Sequence, residues 1–595
     1  MLVSDFIINY LASLGIKHVF LITGAAIAFT VDAFRKRRDI TYICMNHEQA
    51  AAMAADAYSR VGPGLGVALA TSGPGATNLI TGICCSWFDS IPTLLITGQV
   101  NTKEQRGELK VRQLGFQETD IVEIVKPITK YAYKIENPQE IKYQLQKAVY
   151  IAKSQRPGPV LIDIPINIQY AKIPKAKLKS FDAKELKLKD KKINIEKIIK
   201  LTIDLINKSS RPVILAGFGN HLANSENELH RLVEKLNFPV VTTWSATDLF
   251  PKDFKLLVGQ SGVYGSRAAN FTIQNCDLLI SVGARLDTRQ TGGNPKAYAR
   301  NAKKVVVDID SAELTKGWII PDVKVKSDAK IFVKELLSNA NKIKAANLEN
   351  WLAKIEIWKS KYPIVEKRYF SQKKFVNPYV FCQVLSTQLP ADAIIIPDEG
   401  GNLTWVMQSI QIKSGQRLFS AFGNSPMGYA LPASIGASFA TGGKRPIICI
   451  TGDGGLQLNI QEFQVIVNHQ LPIKIFILNN KSYGIIKQFQ DTWLGSRYEA
   501  SQKGYSTPDF IKVAKAYGIS AVQIKNHKEL KQKIKEVLNF KGPIFCDVLL
   551  DPDQKISPKL EFGRPLEDLG PLLPREEFFK NMIIKPLTQS LKLKR

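Results

Sequence analysis

The stretch ICITGDGGLQLN spans Ile448–Asn459. Its first half is apolar and β-branched, the composition of a strand buried on both faces. The run stops at Gly452-Asp453-Gly454-Gly455, and the residues after it read as a helix. A buried strand thus delivers one carboxylate, set between glycines, to its carboxyl end. In open α/β sheets ligands sit at that end, beside helix amino termini. Gly454 and Gly455 let backbone N–H groups approach a phosphate, whereas the Asp453 carboxylate would repel it. A bridging cation removes the conflict, and Mg²⁺, which combines one or two protein oxygens with phosphate oxygens, suits it. A second apolar run, KIFILNN (474–480), ends in Asn479-Asn480 and offers a neutral amide oxygen to the same cation. The alternative is an ordinary strand-to-helix turn, with Asp453 as a cap and the asparagines in a loop.

The same pattern of short apolar run, then helical stretch, recurs along the chain. GVALATS (66–72), TLLITG (93–98), PVLIDI (159–164), PVILAG (212–217), DLLISVG (277–283), KVVVDID (304–310) and AIIIPD (393–398) all have it. The expected fold class is α/β, with three doubly wound parallel-sheet domains at about 1–170, 190–340 and 365–550, and a tail over 551–595. The Lys-rich stretch 171–192 and the polar helical region near 340–375 read as the linkers.

Lys and Arg total 81 against 53 acidic residues in 595, a formal charge of +28. The lysines are scattered and no aromatic-interleaved basic motif accompanies them, so solvated faces are expected and nucleic acid is not. No apolar run approaches the length of a membrane span. The amino terminus lacks the features of a secretory leader, so a cytoplasmic protein is expected. Seven cysteines form no CxxC pair and lie mostly in apolar runs, which suits reduced thiols.

The GDG and NN elements, at strand ends and at this spacing, resemble the signature of the thiamine-diphosphate enzymes. The resemblance implies that Asp453, Asn480 and the backbone carbonyl of Ser482 hold Mg²⁺ on the coenzyme diphosphate. PDEGGNLTW (397–405) resembles the other diphosphate loop, with Gly401 and Asn402 at phosphate. NSPMGYALPA (424–433) resembles the segment around the aminopyrimidine, with Ser425 beside the coenzyme and Met427 wedged beneath it. Plain core packing is the alternative for Met427. NHEQAAAMAADAYSR (46–60) places Glu48 after the run ITYICM and before an alanine-rich helix. Alone it reads as a helix-start glutamate favoured by the dipole. The resemblance makes it the acid that hydrogen-bonds the pyrimidine ring, a contact in which a buried carboxyl can share a proton. It also implies a homodimer or homotetramer, with each coenzyme between the first domain of one subunit and the third of another.

Within that family, TSGPGATN (71–78), DSIPTLLITGQV (89–100) and VRQLGFQETDIV (111–122) resemble the acetolactate synthase group, and the similarity covers about residues 1–550. It places Phe116 and Gln117 on the acceptor side and Gly24 and Ala25 in the loop over the site. The middle domain resembles an FAD-binding one through LVGQSGVYGSRAAN (257–270), GARLDTRQTGG (283–293) and VVVDIDSAEL (305–314). Gly217 and Gly219 in GFG, Arg285 and Asp310 are its candidate FAD contacts. A packing turn for the glycines and a structural ion pair for Arg285 stay open. Pyruvate decarboxylases of the family carry a His-His pair where this chain reads LKVRQLGFQ (109–117). Without that proton donor, the two-carbon unit taken from pyruvate is expected to add to a second carbonyl. A second 2-keto acid, giving 2-acetolactate from two pyruvates, is the first expectation. Two departures, Phe489 in GIIKQFQ where the group usually has Trp and the divergent tail 557–578, keep a nucleotide-linked keto sugar as alternative acceptor. A non-catalytic binding subunit is a further alternative, as is a redox-active flavin. A regulatory small subunit is a candidate partner.

Overall fold

The computed structural model describes all residues except 175–177, 187–193, 345, 562 and 593–595. Of the Lys-rich stretch 171–192, residues 175–177 and 187–192 therefore lie outside the described residues. Three six-stranded parallel sheets succeed one another along the chain. The first contains β1 (His18–Leu21), β2 (Thr41–Cys44), β3 (Gly66–Ala70), β4 (Thr93–Gln99), β5 (Tyr131–Lys134) and β6 (Val160–Pro165). The central sheet contains β7 (Pro212–Ala216), β8 (Val240–Thr242), β9 (Leu257–Gln260), β10 (Leu278–Val282), β11 (Lys303–Asp308) and β12 (Val323–Lys326). The third contains β13 (Ile394–Pro397), β14 (Arg417–Leu418), β15 (Ile447–Gly452), β16 (Lys474–Asn479), β17 (Ser520–Ile524) and β18 (Ile544–Leu549). Helices cover both faces, so β3, β4, β6, β7 and β10 are buried throughout, as their unbroken apolar sequences require.

Strand order divides the units into two kinds. The first sheet runs β2-β1-β3-β4-β6-β5 and the third β14-β13-β15-β16-β18-β17, the same order by position. The central sheet runs β12-β11-β10-β7-β8-β9, which is the order 3-2-1-4-5-6 of dinucleotide-binding sheets read from the other edge. Each order has a reversal where a crevice opens at the strand ends: between β1 and β3, between β7 and β10, and between β13 and β15.

The first and third units share one hydrophobic cluster. Its centre is α1 (Glu48–Val61), the alanine-rich helix, packed on α2 (Ala430–Ala440). Small side chains let the two backbones come close. Beside this contact lies a buried polar knot. Arg60 pairs with Asp56 at 2.7 Å and with Asp89 at 2.9 Å, and the Tyr429 hydroxyl donates to Asp56 at 2.6 Å. Asp89 also accepts the N–H groups of Phe422 and Gly423. The tail returns to the central unit, where Leu560, Leu566, Leu569 and Phe578 complete a core with Phe271 and Trp358.

Candidate active site

Three strand ends of the third sheet meet at one point. After β13 the chain enters Asp398-Glu399-Gly400-Gly401-Asn402. Asp398 is fully buried and accepts the Thr451 hydroxyl (2.7 Å) and the N–H groups of Gly428 (2.9 Å) and Tyr429 (3.0 Å). It thereby pins the loop bearing Ser425 and Met427 against the end of β15. Glu399 holds the same loop from its other side, accepting the Ser420 hydroxyl at 3.0 Å and the Ser425 hydroxyl at 2.6 Å. Ser425 has φ +58°, a strained value for a residue with a Cβ, so the bond to Glu399 holds it where it would not rest alone. Asn402 donates to the Asp398 carbonyl at 2.7 Å and faces Gly452. Gly401 lies against the Trp405 ring.

β15 ends at Gly452 and leads straight into Asp453, the first residue of α3 (Asp453–Leu458). Only 3% of Asp453 is exposed, burial pushes its carboxyl up to about 7, and its Oδ2 has no hydrogen-bond partner among the described residues. At the end of β16 the Asn480 amide oxygen lies 2.9 Å from the Ser482 carbonyl oxygen and 3.2 Å from Asp453 Oδ1, with the amide nitrogen donating to Ser482 Oγ at 3.1 Å. Three acceptors facing one another repel. Turning the amide over relieves that repulsion but leaves Asp453 Oδ2 unpartnered, whereas a cation relieves both. Octahedral ligands about 2.1 Å from Mg²⁺ stand about 3.0 Å apart along an edge, so the observed spacing fits that ion. Among the described residues no group of three His, Cys, Asp or Glu side chains is arranged to hold a metal; this set is one carboxylate, one amide and one carbonyl. Gly454 and Gly455 have no room for a side chain. A Cβ would lie 2.4 Å from the Tyr483 ring at the first and 2.1 Å from Asp398 Oδ2 at the second.

The first sheet gathers a separate group at the ends of β1, β2 and β3. Glu48 opens α1, is buried, and accepts the Asn78 amide at 2.9 Å. Gly24 comes after β1 and abuts Thr71, the residue after β3. Gln117 adopts φ +62° against Gly73, and Phe116 beside it is 85% exposed.

A cavity of about 440 Å³ opens at the β7–β10 reversal, lined by Phe218, Gly219, Trp244, Arg285, Arg289 and Asp308. It extends to Asp89 of the first unit and to Glu399 and Ser425 of the third. Gly217 and Gly219 sit back to back with Gly283, so close approach of two turns already requires glycine there. Arg285 donates to the Phe88 carbonyl at 2.8 Å, stands 3.8 Å from Asp287, and sets its Nε 3.7 Å from Glu313, while the Trp244 Nε1 and Thr243 Oγ1 groups have no hydrogen-bond partner among the described residues. Asp310 does not face this cavity. It caps the helix Ser311–Thr315 and pairs with Arg156 at 3.0 Å. Of the two acids in DID (308–310), the one that lines the cavity is Asp308, the last residue of β11, which burial pushes up to about 6. In an unbroken strand residues 308 and 310 would share a face; they part because β11 ends at Asp308 and Asp310 already caps the next helix.

Models of the thiamine pyrophosphate enzymes match the chain three times: the N-terminal TPP binding domain over residues 1–124, the central domain over 199–336 and the C-terminal TPP binding domain over 398–548. The chain belongs to the thiamine pyrophosphate enzymes. Among curated proteins it is 35% identical to the acetolactate synthase large subunit of Cyanidium caldarium, with 94% of each chain covered. It is 33% identical to that of Lactococcus lactis, again with 94% of each covered, and 32% identical to the chloroplastic acetolactate synthase 1 of Zea mays over 95% of this chain and 88% of that one. This thiamine pyrophosphate enzyme is of acetolactate synthase type, and its three sheets are the three domains of that family. No helix among its described residues is long and apolar enough to cross a membrane.

Proposed function

We propose that the protein is the catalytic subunit of an acetolactate-forming carboligase, which decarboxylates pyruvate and transfers the two-carbon unit to a second 2-keto acid. The observation that carries this reading is the cluster of Asp453, Asn480 and Ser482 oxygens beside Gly454 and Gly455, in which Asp453 Oδ2 has no hydrogen-bond partner among the described residues. Asp453 Oδ, the Asn480 amide oxygen and the Ser482 carbonyl would hold Mg²⁺, and Gly401, Asn402, Gly454 and Gly455 would line the diphosphate. Thiamine diphosphate supplies, when bound, a carbon nucleophile and a cationic ring that takes up electrons as CO₂ leaves. Met427, on the loop held by Asp398 and Glu399, would support the coenzyme from below. Glu48, steadied by Asn78, would share a proton with a nitrogen of the pyrimidine ring. Gly24, Phe116 and Gln117 would face the acceptor carbonyl.

Glu48 and Asp453 belong to different units, and a homodimer with sites between subunits is part of the reading. Its support is an apolar surface that one chain leaves uncovered. The helix α4 (Gly484–Trp493) buries Lys487 and Gln490 while exposing Ile486, Phe489 and Trp493. Leu109, Val111, Leu114 and Phe116 are likewise exposed. FAD is proposed for the central cavity, with Asp308 for ribose hydroxyls and Arg285 and Arg289 for the diphosphate. The orphaned donors and the strand order favour a dinucleotide there. A keto sugar as acceptor is favoured by one observation: Leu560, Leu566, Leu569 and Phe578 of the divergent tail pack on the central unit.

Incubation of purified protein with pyruvate, thiamine diphosphate and Mg²⁺ alone, with mass spectrometry of the products, tests the proposal. Accumulation of 2-acetolactate is expected. CO₂ release without it, restored to carbon–carbon bond formation only by a keto sugar, would replace the acceptor.

A further inference from the structure

α3, which begins at Asp453, leads into the turn Ile460–Glu462. Glu462 is fully buried, yet it belongs to no ion pair among the described residues. Its two carboxylate oxygens share one donor, the N–H of Asn46, at 3.1 and 3.2 Å. The Asn46 side chain returns the contact by donating to the Gln461 carbonyl at 2.9 Å. Asn46 lies two residues before Glu48. Between them His47 caps α1, its Nδ1 accepting the Gln49 N–H at 3.0 Å. The approach to Glu48 is therefore gripped by the third unit of the same chain, through the segment that also carries the cation carboxylate. A carboxylate is a costly group to bury for the sake of adhesion alone; apolar residues join two units with less penalty. What an acid at this place adds is direction: it accepts a backbone N–H two residues before Glu48, fixing where the first turn begins.

We propose that Glu462 is a positioning residue for Glu48, setting the height and rotation of the first turn of α1 so that the Glu48 carboxyl meets the coenzyme ring. The inference rests on the role of Glu48 proposed above. A misplacement of about 1 Å in such a group can cost on the order of 100-fold in rate, so the effect is read in proton transfer rather than in binding.

The test uses the full chain loaded with thiamine diphosphate and Mg²⁺. Exchange of the coenzyme thiazolium C2 proton with D₂O is read by acid quench and NMR, with coenzyme affinity measured alongside. Glu462→Ala is expected to slow exchange about tenfold or more while coenzyme affinity stays within about threefold. Glu462→Gln still offers one oxygen to the Asn46 N–H and is expected to stay within about threefold of the parent. Asn46→Ala, an exposed change that removes only the tie to Gln461, is expected to slow exchange about threefold and covers the case in which Glu462→Ala does not fold. Parental exchange rates in folded, coenzyme-loaded Glu462→Ala or Asn46→Ala would overturn the proposal, as would a Gln variant as slow as the Ala variant. Glu48→Gln is the control: unchanged exchange there would sink the role of Glu48 itself, not the grip on its helix.

Discussion

Asp453→Asn should move stability and ligand response in opposite directions. Asp453 Oδ2 has no hydrogen-bond partner among the described residues, whereas Oδ1 stands 3.2 Å from the Asn480 amide, which can turn its N–H toward it. An asparagine can place a donor at the unpartnered end and removes a buried charge. Relief of one unsatisfied buried acceptor is worth about 1–3 kcal/mol. For a unit of this size 1 kcal/mol corresponds to about 2–4 °C in melting temperature, so the apoprotein variant should melt a few degrees higher than the parent. The ligand response should collapse. At 100 times its Kd a ligand stabilises the parent by about 2.7 kcal/mol. If Asp453 is the charged ligand of the proposed cation, its loss should weaken coenzyme binding by about 100-fold and remove most of that gain. Differential scanning fluorimetry of both proteins, with and without thiamine diphosphate and Mg²⁺, reads all four states. A variant that melts below the parent without ligands, or that keeps the parental ligand-induced rise, would refute the assignment of these oxygens to a cation.

Three other perturbations probe the same geometry. Burial, with Asp398 adding to it, pushes the Glu399 carboxyl up to about 8; an acid whose folded pKa exceeds its unfolded one loses stability as pH rises between the two values, so the melting temperature of the parent should fall from pH 5 to 8 more steeply than that of Glu399→Gln. Gly455→Ala would place a Cβ 2.1 Å from Asp398 Oδ2 and should cost about 1–3 kcal/mol, with coenzyme affinity measured by titration falling in step. Asp89→Ala leaves Arg60 with a single carboxylate and strips the acceptor from the N–H groups of Phe422 and Gly423. About 3–5 kcal/mol of stability should be lost, seen as an earlier urea midpoint, and a loss below about 1 kcal/mol would mean the knot holds nothing together.

The strands were legible because parallel strands buried on both faces leave an unbroken apolar imprint, as at Ile447–Gly452 and Lys474–Asn479. Glu48 and Asp453 were legible as strand-end acids for the same reason: the apolar run stops and a helix begins. What pairs beside what was not. That the first and third sheets share one strand order depends on contacts between residues far apart in sequence, and no repeat in the residues announces it. The choice between Asp308 and Asp310 turns on where β11 ends, a matter of one or two residues. Glu399 and Glu462 carried no local signal, because each acquires its meaning from partners elsewhere: Ser420 and Ser425 for one, Asn46 for the other.

The packing of the tail on the central unit also sets an order of events during synthesis. Leu560, Leu566, Leu569 and Phe578 complete a core whose other members, such as Phe271 and Trp358, leave the ribosome some 200 to 300 residues earlier. Arg267 and Asn270 wait as long for the carbonyls of Leu569 and Leu566. The middle of the chain is therefore the last part to become whole. Until residue 578 has emerged, it carries an open apolar face.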